Sequence, residues 1–116
     1  MNSLNDVSLI IATFNEESSI GFVLDEIIDY DFHEVIIVDG KSKDRTIEVA
    51  SKYRTKIITQ KNDGWGSAVL EGFNQASGKY ITYMDGDGSY RPTSIYEMRK
   101  QINSYERNYF LSIKCY

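Results

Sequence analysis

Four short runs of β-branched and aliphatic residues, each followed by residues recurring at helical spacing, constrain this chain more than any other feature. Val7–Thr13, Glu34–Asp39, Lys56–Thr59 and Tyr80–Met84 read as buried strands. After the polar stretch Asn15 to Ser19, the spacing of Ile20, Val23, Leu24, Ile27 and Ile28 predicts a first helix. Asp44 is placed to cap a second helix reaching Arg54, with Ile47, Ala50 and Tyr53 inward. Gly64-Trp65-Gly66 opens a third, carrying Val69, Leu70, Phe73 and Ala76 and closed by Gly78 as a left-handed cap. Pro92 starts a fourth, with Ile95, Met98, Ile102 and Tyr105 on one face, and Tyr109 to Ile113 reads as a final strand. The alternation predicts an α/β domain whose mostly parallel sheet is flanked by helices on both faces. Sheets of that kind bind ligands at the carboxyl ends of their strands.

The 116 residues fit one domain spanning 1–116. With 41% hydrophobic and 26% charged residues the chain is not of the disordered class. A formal charge of −4 argues against general nucleic-acid binding, which needs clustered Lys and Arg. It leaves room for a nucleotide whose diphosphate a cation neutralises. No run approaches the roughly 20 apolar residues of a membrane span, and Met1 to Asp6 lacks the marks of a signal peptide. Cys115 is the single cysteine, so no intrachain disulfide or cysteine zinc site is expected. The expected location is cytoplasmic, with attachment to the inner membrane face through other segments left open.

The chemistry lies just beyond the end of each strand. Thr13-Phe14-Asn15-Glu16-Glu17 succeeds the first, Asp39 ends the second, and Asp85-Gly86-Asp87-Gly88-Ser89 succeeds the fourth. Asp85 and Asp87, one glycine apart, can address one hard cation such as Mg²⁺ or Mn²⁺, with phosphates and waters completing its shell. Gly86 and Gly88 would leave space for a phosphate or ribose. An isolated Asp-Gly-Asp is more often an ordinary turn. A calcium loop fails, because Tyr96 stands where a bidentate Glu is required.

Elsewhere two readings stand side by side. Asp39 either accepts a hydrogen bond from a base or closes an Asx turn with Ser42 and Asp44. Phe14 either stacks on a base or joins the core, and Glu16 either contacts ribose or base or favours the adjacent helix start. Gly64-Trp65-Gly66 either cradles phosphate or makes a tight turn, and Trp65 is either a lid or a core residue. Lys41, Lys43 and Arg45 read as a solvated turn from which one could approach phosphate. His33, at the amino end of the sheet, is assigned no chemistry.

Taken in order, these segments resemble the family-2 glycosyltransferases of the GT-A fold, especially the dolichyl-phosphate mannose synthase type. Ala12-Thr-Phe-Asn-Glu16 is similar to the family's P-x-Y-N-E, and Ile37 to Thr46 to V-D-D-G-S-x-D-G-T. Gly64-Trp-Gly-Ser-Ala68, then Gly72 and Ala76 to Gly78, resemble G-x-G-x-A followed by G and A-x-G. Asp85 to Asp87, trailing to Tyr90-Arg-Pro92, resembles the D-x-D segment.

The resemblance implies that Ala12, Phe14, Glu16 and Ile37 belong to the nucleotide-sugar pocket and that Asp39 recognises the base. It places Asp85 near ribose and metal, Gly86 near the diphosphate, and makes Asp87 the principal metal ligand. Ser89 stands where the polyprenyl-phosphate branch has a Gln that also serves the metal. The catalytic positions implied are Asp85 and Asp87. Ala12 departs from the usual proline and Gly40 from a frequent aspartate.

The implied activity is Mg²⁺- or Mn²⁺-dependent transfer of a sugar from a UDP- or GDP-sugar to an acceptor such as a polyprenyl phosphate. Family enzymes continue into an acceptor-binding half carrying the catalytic base, and this chain is expected to be truncated before it. The alternative is a non-catalytic nucleotide-sugar-binding or assembly module. A sheet edge left exposed would favour a homo-oligomer. A dehydrogenase-type dinucleotide fold is disfavoured, since no G-x-G-x-x-G succeeds the first strand. A nucleotidyltransferase would need a glycine-rich basic loop in the same place.

Overall fold

A computed structural model describes residues 3–89, 91–102 and 110–111. The elements are β1 (Val7–Thr13), α1 (Ile20–Ile27), a 3-10 turn (Ile28–Tyr30), β2 (Glu34–Asp39), α2 (Thr46–Ala50), β3 (Lys56–Thr59), α3 (Trp65–Gln75), β4 (Tyr80–Asp85), α4 (Pro92–Lys100) and β5 (Phe110–Leu111). The sheet order is β3-β2-β1-β4-β5, and every pairing is parallel. Strand order therefore reverses at β1, with β2 on one side and β4 on the other. Registers Thr13↔Asp39 and Ala12↔Asp85 bring the ends of these three strands level. A crevice at such a switch point is where open α/β sheets take ligands.

Side chains alternate across the sheet. Leu9, Ile11 and Ile37 pack with Ile20, Val23, Leu24 and Ile27 of α1, Ala50 of α2 and Ile95 of α4. Ile10, Ile36 and Val38 instead meet Ala68 of α3. Helices thus cover both faces, as the alternation predicts, and the central strands are apolar on both sides because neither side meets water.

Three expectations fail in detail. The helical register of α1 tightens into the 3-10 turn at Ile28, which leaves that side chain 68% exposed instead of inward. α2 stops at Ala50, well short of Arg54; Thr46 and Ala50 are its buried residues and Ile47 lies outward. Arg45, not Asp44, occupies its N-cap, although Asp44 Oδ1 accepts the Thr46 N–H at 3.0 Å.

The largest difference concerns α3. Leu70 and Phe73 are exposed, and the buried residues are Ala68 and Gly72, one helical turn apart. A Cβ on Gly72 would stand 2.5 Å from Ile10 Cγ2, so the helix axis lies too close to the sheet for a larger residue. Gly78 is not a left-handed cap either. The helix ends with Ala76 in extended conformation, and Gly78 is required because a Cβ there would meet Ser8 Oγ at 2.6 Å.

α4 agrees with expectation, with Pro92 in its first turn, Ile95 buried and Met98 and Ile102 against the core. Arg99 anchors it through hydrogen bonds to Asp6 at 3.2, 3.2 and 2.6 Å, with its guanidinium 4.4 Å from the Tyr80 ring centre. Tyr90, Tyr105, Cys115 and the rest of the predicted last strand beyond Phe110–Leu111 lie outside the described residues. Among the described residues no helix is long and apolar enough to cross a membrane.

Candidate functional site

The carboxyl ends of the strands enclose a cleft of about 350 Å³. Ala12, Thr13, Phe14 and Glu16 enter it from the end of β1, and Gly40 and Lys41 from the end of β2. Gln60, Asp63 and Gly64 enter after β3, Trp65 and Ala68 from α3, and Asp85 and Asp87 from β4. Four carboxylates, Glu16, Asp63, Asp85 and Asp87, therefore face Lys41 as the lining cation. At neutral pH this cleft repels a free diphosphate and attracts a divalent cation.

Two aromatic side chains form apolar walls in this polar setting. Phe14 is 57% and Trp65 52% exposed, so neither belongs to the core. The Trp65 indole N–H donates to Asp85 Oδ1 at 2.9 Å, and its ring meets Tyr83 edge-on at 5.0 Å and 71°. Gly64, which precedes it, has φ of 101°, a value that needs glycine.

The two aspartates are held differently. Asp87 Oδ1 accepts the Ser89 hydroxyl at 2.6 Å and the Ser89 N–H at 2.9 Å. These hydrogen bonds hold its carboxyl below the usual range against the opposing pull of partial burial. Each aspartate uses one oxygen in these contacts, which leaves the second oxygen of each as a donor toward a cation. Among the described residues no group of three or more His, Cys, Asp or Glu is arranged to hold a metal. The donor set fits a hard cation that draws its remaining ligands from phosphate and water, and does not fit a closed structural site.

Four residues implied by the resemblance do not line the cleft: Ile37, Asp39, Gly86 and Ser89. Ile37 is wholly buried in the core layer beneath α1. Asp39 is also fully buried, and its carboxylate is committed within the protein. Its Oδ1 accepts Thr13 Oγ at 2.8 Å and Ser42 Oγ at 2.6 Å, and its Oδ2 accepts Ser42 N–H at 2.8 Å. This is the Asx-turn arrangement. Gly86 is needed for packing, because a Cβ there would meet Thr13 Cγ2 at 2.8 Å and Ile20 Cδ1 at 3.3 Å. Only Gly88, with φ of 84°, is required by the turn itself.

The segment from Asp39 to Thr46 acts as a clasp on the loop after β1. Asn15 N–H donates to Ser42 Oγ at 2.8 Å, Glu16 N–H to Thr46 Oγ at 2.7 Å and Glu17 N–H to Asp44 at 3.1 Å. Burial works to raise the Asp44 pKa, but hydrogen bonds from Thr46 and Glu17 outweigh it and hold it low. The clasp fixes the loop from which Phe14 and Glu16 reach the cleft. Of the three basic residues in this turn, Lys41 alone lines it. His33 lies apart and pairs with Ser77 at 3.1 Å.

Gln60 and Asp63 line the cleft without having been singled out by the sequence. The signal was present, since Gln60 directly succeeds β3 just as Phe14 succeeds β1. Gln60 Nε2 donates to the Gly64 carbonyl at 2.6 Å and so shapes the start of α3.

Comparison with known proteins places the chain in a family. The chain belongs to glycosyl transferase family 2, whose pattern it matches over residues 8–113. It is 36% identical over 106 residues to the dolichol-phosphate mannosyltransferase of Pyrococcus furiosus, covering 84% of this chain and 30% of that protein. It is 32% identical over 108 residues to the cholesterol galactosyltransferase of Borreliella burgdorferi, covering 84% and 30%. The chain thus spans about 30% of the length of these relatives.

Among solved structures, mannosyl-3-phosphoglycerate synthase from Rubrobacter xylanophilus superposes with a TM-score of 0.68 at 23% identity, over 75% of this chain and 32% of that one. Glucosyl-3-phosphoglycerate synthase from Mycobacterium tuberculosis, solved with Mn²⁺, UDP and glucosyl-3-phosphoglycerate, gives 0.63 at 23% identity, over 69% and 33%. The fold is that of the GT-A glycosyltransferases.

Proposed function

We propose that the chain is the donor-binding part of a glycosyltransferase, holding a nucleoside-diphosphate sugar through a divalent cation, with residues 1–116 acting as one unit. The carrying observation is the composition of the cleft: four carboxylates against one lysine, beside two exposed aromatic rings. A nucleoside diphosphate matches that composition only when a cation accompanies it. The base lies against Phe14 and Trp65, the two exposed aromatic side chains that line the cleft. Asp85 and Asp87 would hold Mg²⁺ or Mn²⁺, and Lys41, just beyond the end of β2, would approach the phosphates. When bound, the cation supplies Lewis-acid stabilisation of charge on the departing diphosphate.

The protein's own residues act by positioning and by fixed charge. The clasp between Asp39 and Thr46 keeps Phe14 and Glu16 in place, and the Ser89 hydroxyl and N–H orient the Asp87 carboxylate. The similarity to a dolichol-phosphate mannosyltransferase supports a polyprenyl phosphate as acceptor, whose phosphate oxygen is already a nucleophile. The manganese and UDP of the mycobacterial synthase support the donor class.

The test is a thermal-shift panel of UDP-, GDP- and dTDP-sugars with and without Mn²⁺. The expected result is a rise in Tm with one nucleotide series and only with the cation. No shift with any nucleotide would contradict the proposal.

A further inference from the structure

We propose that Trp65 is a positioning residue that couples the nucleotide wall of the cleft to the cation-binding carboxylate. This inference rests on the donor-site reading above and deepens it. A carboxylate at a strand tip rotates freely about its last torsion, and either oxygen can then face a cation. In this chain the indole N–H holds Asp85 Oδ1 at 2.9 Å, which singles out the other oxygen as the outward donor. The indole is itself fixed. Its ring meets Tyr83 edge-on at 5.0 Å, and its backbone succeeds Gly64 with φ of 101° at the start of α3.

Trp65 is nonetheless about half exposed and lines the cleft. One side chain therefore touches the space for the base and the first cation ligand together. A base packed on the indole fixes the N–H on Asp85, and a cation on Asp85 fixes the indole for the base. Thermodynamic reciprocity requires both effects to be of equal size. A ring serving only as an apolar wall has no use for its N–H, and replacing it by Phe would then have the same effect in Mn²⁺ as in EDTA. Hydrogen bonds that orient metal-binding side chains in this way commonly tune affinity by tenfold or more.

The experiment uses the full chain and its Trp65→Phe variant, titrated calorimetrically with UDP and GDP in Mn²⁺ and again in EDTA. Trp65 is the chain's one tryptophan, so the indole N–H also gives a single side-chain resonance in ¹H–¹⁵N spectra. A loss of nucleotide affinity in Mn²⁺ about tenfold larger than the loss in EDTA is the expected outcome. The wild-type indole resonance should move in Asp85→Asn and again on adding Mg²⁺ with nucleotide. Equal losses in Mn²⁺ and EDTA would mean a stacking wall only, which overturns the coupling and leaves the donor-site reading standing. Wild-type binding that ignores Mn²⁺ would overturn the donor-site reading, and the coupling with it.

Discussion

Single residues at the strand ends carry both the chemistry and the loop geometry that presents it. Asp85 and Asp87, which stand out in sequence as paired carboxylates just past a buried strand, both line the cleft. Asp39 looks alike in sequence, yet its carboxylate is consumed by Thr13 and Ser42. What separates them is burial, and burial depends on loops that residue type does not encode. At Gly86 the missing side chain makes room for Thr13 and Ile20.

Away from the cleft, the Asp6–Arg99 pair offers a test at this same scale. The hydrogen bond from Arg99 holds the Asp6 carboxyl below its ordinary value of 3.8, against opposing burial. The unfolded chain therefore takes up this proton first as pH falls. The pair's contribution is intact above pH about 4 and is lost as pH drops through the folded-state pKa. Asp6→Asn should cost about 1 kcal/mol at pH 7 and progressively less as pH falls below about 4, giving a shallower acid decline in urea titrations. Part of the decline should survive, because hydrogen bonds from Ser8 and Ser77 also lower Glu34, against the opposing and largest effect of burial.

At the scale of elements, the four principal strands were legible almost to the residue. Continuous β-branched runs are what a doubly covered parallel sheet demands. Helix faces were less legible. The spacing of Val69, Leu70 and Phe73 suggested an inward face for α3, whereas the helix rests on Ala68 and Gly72. Large apolar residues dominate any periodicity reading, and close helix–sheet approach is achieved by small ones. Gly72→Ala should test this. An added methyl favours the isolated helix by about 1 kcal/mol but collides with Ile10 and Val38. The net expectation is a loss of about 1–2 kcal/mol in urea unfolding, whereas a stabilised variant would show that the contact yields easily.

Across the molecule, the reversal of strand order at β1 gathers the ends of β1, β2 and β4 into one cleft. The topology thereby makes one site of residues as distant in sequence as Phe14 and Asp87. Glu16, Asp63, Asp85 and Asp87 give this cleft a local charge that no whole-chain average reveals. That excess of carboxylate is the physical basis for expecting a cation between protein and diphosphate. The direct measurement is calorimetric titration of UDP and GDP into wild type and Asp87→Ala, each with Mn²⁺ and with EDTA. Wild type should bind one nucleotide at least tenfold more tightly with Mn²⁺, and Asp87→Ala should lose that gain while remaining folded. Equal affinities in Mn²⁺ and EDTA for wild type, or an undiminished manganese effect in Asp87→Ala, would contradict the account.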